Sequence, residues 1–342
     1  MMDKLVQWRY WWFLLSGIFI LPGLYFLLLH PLVTTGQPRL GLQLGIDFSG
    51  GTLWDLQFEE RTPDQLNSTE IAQVFAASGF ANAQVQISDQ QGERPGTNVI
   101  VRTGELANIQ SDPERVIANL SAEFGTVQRE QITSVGATIS QQATRSAVLA
   151  VLAATIAILL YLTWAFRLAP HPVRYGICAI LAMLHDVILI IGVAAFMGTF
   201  FGLEVDALFL TAMLTILSFS VHDTIVVFDR IRENLLIRRP GETFEQIVNL
   251  SLVQTLPRSI NTQLTTLFTL TALLLFGGPT IQNFVIILTI GLIAGTYSSI
   301  FTAAQLLVVW ENREWQWWFK GRPTSSTPTE PTEPTTPSAV GS

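Results

Sequence analysis

Residues 208–228 read Leu-Phe-Leu-Thr-Ala-Met-Leu-Thr-Ile-Leu-Ser-Phe-Ser-Val-His-Asp-Thr-Ile-Val-Val-Phe, an apolar run with a carboxylate, Asp223, in its second half. A helix of about 20 such residues crosses the hydrocarbon core of a bilayer. An Asp near the middle of such a helix costs roughly 2.5–3.5 kcal/mol on insertion scales, so it persists only when neutral, paired or facing a wet cavity. Composition shows that this is a span and not the core helix of a soluble protein. Hydrophobic residues make up 49% of the 342 and charged ones 13%, against about a quarter charged in soluble domains. These values exclude a disordered chain, a secreted disulfide scaffold and an ordinary soluble enzyme. The formal net charge of -7 leaves no basic patch to neutralise phosphates, which excludes a nucleic-acid partner. The single cysteine, Cys178, allows no intramolecular disulfide and sits in an apolar run as a packed thiol.

Five further runs have the length of a span: 10–30, 146–166, 173–198, 260–277 and 281–309. The first follows Lys4 and Arg9 as a signal peptide would, but it is too long for one and no small-residue cleavage site follows, so it reads as a retained anchor. The basic residues of the short flanks are Lys4 and Arg9, Arg167 and Arg174, Arg230, Arg232, Arg238 and Arg239, then Arg313, Lys320 and Arg322. All fall on one side if both termini are cytoplasmic, and the connections at 202–204 and 278–280 carry none.

Residues 31–145 are then outside. The pattern there predicts strand 52–58, helix 63–78, strand 83–88, strand 98–102, helix 113–124 and strand 126–133. That order is ferredoxin-like. The predicted fold is a polytopic α-helical membrane protein with six transmembrane helices and one extracytoplasmic α+β ferredoxin-like domain between the first two. Its divisions are 1–30, 31–145, 146–310 and a cytoplasmic tail 311–342, disordered from about 321, where Pro, Thr, Ser and Glu replace any apolar pattern.

Two spans carry a His-Asp pair, His185-Asp186 and His222-Asp223. Asp223 reads as a protonatable carrier whose ionisation is disfavoured by burial and favoured by a cation. The cation is Arg258, at the start of the fifth predicted span, followed by Asn261, Thr262, Gln263, Thr265, Thr266 and Thr269 as a candidate water file; Ser218 and Ser220 add hydroxyls. For Asp186, a carrier role and a structural one stand level. The histidines read as partners of the acids. An aspartyl-protease dyad is disfavoured because Phe219-Ser220-Val221-His222 lacks the expected glycine loop. A His/Asp metal site is disfavoured because neighbours on a helix point about 100° apart. No cofactor, metal or enzymatic activity is expected. Gly50 and Gly51, after Asp47, lack the Lys and the preceding strand of a phosphate loop and read as a hinge. The run 229–235 with Phe244, Ile247, Val248, Leu250 and Leu252 predicts short amphipathic helices on the membrane surface. Gly291-Leu292-Ile293-Ala294-Gly295 predicts close helix packing.

Four segments together, Gly-Ile-Asp-Phe-Ser-Gly-Gly-Thr at 45–52, Val-His-Asp-Thr-Ile-Val-Val-Phe-Asp-Arg-Ile-Arg-Glu-Asn at 221–234, Gln-Thr-Leu-Pro-Arg-Ser-Ile-Asn-Thr-Gln-Leu-Thr-Thr at 254–266 and Gly-Thr-Tyr-Ser-Ser-Ile at 295–300, resemble the SecD/SecF family of protein-export membrane proteins, of the SecF type. Val135-Gly136, Tyr161 and His185-Asp186 fit the same pattern. The resemblance implies an RND-superfamily membrane fold in the bacterial inner membrane. It also implies partnership with SecD, the SecYEG channel, the SecA motor and exported precursor proteins, with the proton-motive force driving late stages of export. It places Asp223 and Arg258 in proton conduction. His222 stands where the family usually has Asn, and is expected to tune the ionisation of Asp223 or to join the proton relay with Asp223, Arg258 and Asp186; Pro257 before Arg258 is a second departure, expected to displace the helix start. The expected mechanism is that protonation of Asp223 removes its attraction to Arg258, after which the fourth and fifth spans shift and the first span passes the motion through Gly50-Gly51. One charge crossing 100 mV supplies about 2.3 kcal/mol. The alternative is a proton-driven RND-type exporter half for lipid or small molecules, disfavoured by the short connection at 198–207.

Overall fold

A computed structural model describes residues 5–80, 83–87, 96–104, 113–167 and 171–314. The tail beyond 321, with Lys4, Lys320 and Arg322, lies outside the described residues. Among the described residues six helical stretches are long and apolar enough to cross a membrane. The first, Val6–Thr34, is built from α1 (Arg9–Leu24), a π-helical turn (Tyr25–Leu29) and α2 (His30–Thr35). Pro31 has no N–H to return to the preceding turn, and the Leu27 carbonyl accepts from Gly41 N at 2.7 Å instead.

The other spans are α6 (Ala137–Ala165), α7 (Pro172–Phe201), α8 (Ala207–Leu236), α9 (Phe244–Phe276) and Ile281–Glu311. The last comprises α10 (Pro279–Ser298), a second π-helical turn (Ser299–Ala303) and α11 (Ala304–Glu311). The helices outrun the apolar runs that predict them. At 1.5 Å per residue the 30 residues of α8 extend about 45 Å, the bilayer with its headgroups.

Two expectations are corrected in α9. It starts at Phe244, behind a Thr243/Gln246 capping box, and runs unbroken for 33 residues through Pro257. Pro257 removes one backbone bond without moving the start, a loss that neighbouring helices offset in a bundle. Residues 244–252 are therefore its first turns, and not separate surface helices. Ile247, Val248 and Leu252 are buried, the last two in a core at the end of the bundle away from the α+β unit, with Val6, Phe166, Tyr175, Phe228, Ile231 and Val308. A second core, of Ile190, Phe209, Ile216, Leu270 and Leu292, fills the half nearer that unit. α10 lies tight against α8, since a Cβ on Gly295 would sit 3.1 Å from Ser220 Cβ.

The chain between α2 and α6 forms an α+β unit. Its elements are α3 (Ile46–Ser49), β1 (Gly51–Phe58), α4 (Ser68–Ala77), β2 (Gln84–Ile87), β3 (Thr97–Thr103), α5 (Pro113–Phe124) and β4 (Val127–Val135). The sheet order is β2-β3-β1-β4, every pair antiparallel. Strand alternation sends Trp54, Leu56, Phe58, Val99 and Val101 to one face, where Ile71, Phe75, Val116 and Leu120 of the two helices cover them. Asp55 points to the other face, its Oδ1 buried and unpartnered.

This unit is fastened to the bundle. Val205 N donates to Gln43 O at 2.7 Å and Gly45 N to Val205 O at 2.9 Å. Arg102 of β3 pairs with Glu204. Asp47 Oδ2 accepts from Ala207 N at 3.0 Å, while the N-cap Asp206 accepts from Phe209 N at 2.7 Å. Two acids from separate segments thus sit on the positive end of the α8 dipole. Gly50 and Gly51 follow at φ 73° and 116°, and a Cβ on Gly51 would lie 2.6 Å from Thr103 O.

Candidate functional site

The bundle holds two buried carboxylates with different surroundings. Asp186 of α7 is fully buried. Its Oδ2 accepts from Ser220 Oγ of α8 at 2.5 Å and Ser298 Oγ of α10 at 2.7 Å; its Oδ1 lies 3.0 Å from His185 Nδ1. Thr224 Oγ1 donates to Ser299 Oγ at 3.1 Å beside this group, at the start of the second π-helical turn. Asp186 therefore ties three helices together, each donor matched to a carboxylate lone pair.

Asp223 of α8 is 6% exposed. Among the described residues it forms no ion pair. Its side chain meets Gln263 of α9, with the charges of His222 and Arg258 further off. The Gln263 amide nitrogen donates to Leu292 O at 3.3 Å, leaving Oε1 buried and unpartnered. Here the attraction expected between Asp223 and Arg258 acts across a gap and not through a contact. Arg258 is exposed, and so is His222, turned about 100° around the helix from Asp223.

The candidate water file is redistributed. Asn261, Thr262, Thr265 and Thr269 are exposed on the outside of α9 and Thr266 is half-buried, and the threonine hydroxyls donate back to carbonyls of their own helix. Only Gln263 of that series faces inward. The inward stripe is instead Ser251, Thr255, Ser259 and Gln263, all buried and each four residues from the next. That spacing was present in the sequence, but Pro257 in its midst made a helix break the simpler reading. Ser298, Ser299, Thr302 and Gln305 of the sixth span are equally buried. Asp47, Gly50 and Gly51 lie at the junction of the α+β unit, at the N-terminal end of the helix that carries Asp223. Among the described residues no three His, Cys, Asp or Glu side chains cluster in a way that could hold a metal.

An apolar six-span bundle with acids in its interior and a folded α+β unit attached to it defines a polytopic membrane protein. Comparison places it more narrowly. The family described as "Protein export membrane protein SecD/SecF, C-terminal" matches residues 116–313, and the "SecD/SecF GG Motif" matches 39–60. Protein translocase subunit SecF of Thermobaculum terrenum is 47% identical over 317 residues, 92% of this chain and 95% of that protein. Protein translocase subunit SecF of Anaerolinea thermophila is 42% identical over 93% of this chain and 98% of its own length. The crystal structure of SecDF from Thermus thermophilus superposes with a TM-score of 0.69 at 30% identity, covering 91% of this chain; the chain spans 38% of that longer protein. The chain belongs to the SecD/SecF family of protein-export membrane proteins.

Proposed function

We propose that this chain is the SecF-type subunit of a Sec translocase and uses the proton-motive force, with a SecD partner, to promote late stages of export. In this account its termini are cytoplasmic, the membrane is the bacterial inner membrane, and the partners are SecD, SecYEG, SecA and exported precursors. It performs no covalent chemistry. The longer SecDF proteins, of which this chain matches about a third, support the SecD partnership. The sheet order β2-β3-β1-β4 with helices α4 and α5 on one face supports reading the outside unit as ferredoxin-like.

The observation that carries the proposal is the contrast between the two acids. Asp186 has its donors and acts as a fastener. Asp223 is buried too, has no ion pair among the described residues, and meets the neutral amide of Gln263, with the charges of His222 and Arg258 beyond contact. In this account protonation relieves an uncompensated buried charge, and ionisation draws Asp223 toward the charge of Arg258. His222 and Arg258 are exposed on the bundle surface, where a SecD partner would complete the relay in this account. The motion reaches the outside unit through Asp47 on the end of α8, and not through the first span alone. The test is proton-gradient-dependent export of a reporter precursor by Asp223→Asn, assembled with its partner at wild-type level. Loss of export supports the role, and full export refutes it.

A further inference from the structure

The first turns of α6 and the short helix α3 enclose a groove of about 500 Å³ that the proposed function does not use. Its walls are Phe48 of α3 and Gln141, Thr144, Arg145, Val148 and Leu149 of α6. The two helices are joined there, Thr144 Oγ1 donating to Phe48 O at 3.4 Å. One end of the groove is polar and the other apolar. Arg145, at the polar end, is exposed and forms no hydrogen bond or ion pair among the described residues.

The position of this cation along α6 defines its counterion. The apolar run of the span begins at Ser146, so Arg145 stands where hydrocarbon gives way to headgroups, at the end of the bundle nearer the α+β unit. Leu149, Leu152 and Ile156 follow it at helical spacing on one side of α6, each more than half exposed. From Arg145 to Ile156 the helix rises about 16 Å, half of the roughly 30 Å hydrocarbon core and so the depth of one leaflet. A cation above an apolar stripe of that depth complements an amphiphile with an anionic head. The planar fork of a guanidinium suits phosphate oxygens in particular. The connections at 202–204 and 278–280, which join the neighbouring spans at this level, carry no basic residue. The feature therefore belongs to α6 and is not general to this end of the bundle.

We propose that this groove binds an anionic phospholipid, its phosphate on Arg145 and one acyl chain along Phe48, Val148, Leu149, Leu152 and Ile156. Phe48 lies between Asp47, which accepts from the first residue of α8, and the Gly50-Gly51 turn. Bound lipid thus braces the junction of the α+β unit against the bilayer surface. The inference is independent of proton coupling at Asp223.

The test uses the full chain in lipid discs, alone and with its SecD partner. In a Cys178→Ala background, Leu152→Cys carries a bimane fluorophore. Its quenching is followed as dibrominated phosphatidylglycerol, or dibrominated phosphatidylcholine, replaces unbrominated phosphatidylcholine. We expect phosphatidylglycerol to reach half-maximal quenching at a mole fraction about fivefold lower than phosphatidylcholine, the advantage of one arginine beside an anionic headgroup. Arg145→Gln should abolish that preference without changing thermal unfolding, since Arg145 has no partner among the described residues. Equal quenching by the two lipids in the unaltered groove would overturn the site, because lipid then only surrounds the helix. A preference that survives Arg145→Gln would overturn the part given to Arg145. Loss of quenching by both lipids once SecD is present would make the groove a protein contact, and overturn the proposal as well.

Discussion

The carboxylate of Asp47 accepts a hydrogen bond at 3.0 Å from the backbone N–H of Ala207, 160 residues away and the first residue of the helix that carries Asp223. The segment that launches the outside sheet is thus bonded to the end of the helix that holds the intramembrane acid. An axial shift of α8 acts on Asp47, and on β3 through the Arg102–Glu204 pair just ahead of the helix.

Asp47→Ala removes that acceptor and its charge from the helix end. The expected loss is about 0.5–2 kcal/mol, the usual worth of a helix cap. Thermal unfolding of the purified chain measures it. Asp47→Asn keeps an acceptor and loses only the charge, so it should fall between Asp47→Ala and wild type. A larger proportional loss of proton-driven export than of stability in both variants marks coupling.

Gly51→Ala should fail in a different way. A methyl at φ 116° meets Thr103 O at 2.6 Å, so β1 cannot keep its register with β3. The expected result is rapid proteolysis of the outside unit in membranes where the spans remain inserted.

Asp55 gives the sheet a pH dependence. Burial pushes its carboxyl above the ordinary value and Glu130 adds to this, against a hydrogen bond from Asn98. The folded state therefore holds its proton more tightly than the unfolded chain. Stability from this group is fully present below the unfolded value, near 3.8, and is lost as pH rises through the raised folded value. Hydrogen exchange of the β1 amides should slow as pH falls through the raised folded value, after correction for intrinsic rates, and Asp55→Asn should abolish the trend.

At the end of the bundle where both described termini lie, Arg9 bonds Glu314 through Nη2 at 2.5 Å and Nε at 3.0 Å, and lies 3.1 Å from Glu245. Burial pushes the Glu314 carboxyl up, but hydrogen bonds from Arg9, Tyr10 and Asn312 with the Arg9 charge outweigh it and hold it below the ordinary value. Its stabilisation is present above the unfolded value and is lost as pH falls through the lowered one. Arg9→Met strands a buried carboxylate and should cost about 3–5 kcal/mol in unfolding free energy. Restoring most of that loss with the second change Glu314→Leu would identify the stranded charge as its cause.

The spans were legible because an apolar run of bilayer length needs no tertiary information. Their ends were not, because residues 244–252 are helical through packing against Ile231 and Val308, which sequence spacing does not reveal. The same limit explains α9: which of its polar faces turns inward depends on the sixth span, and the threonines singled out face outward. Asp186 and Asp223 were visible as acids in apolar runs. Their separation into an acid bonded to two serines and one without an ion pair among the described residues required Ser220 and Ser298 to be placed. The Asp47 to Ala207 bond joins distant segments and carries no local signature.

The central claim is that Asp223 exchanges a proton as part of export. The most direct measurement is proton flux through the assembled complex in vesicles during export of a precursor, comparing wild type with Asp223→Asn at equal membrane level. The account predicts that flux and gradient-dependent export fall together in the variant while assembly with the partner persists. Undiminished flux and export would show that Asp223 only joins helices, and would contradict it.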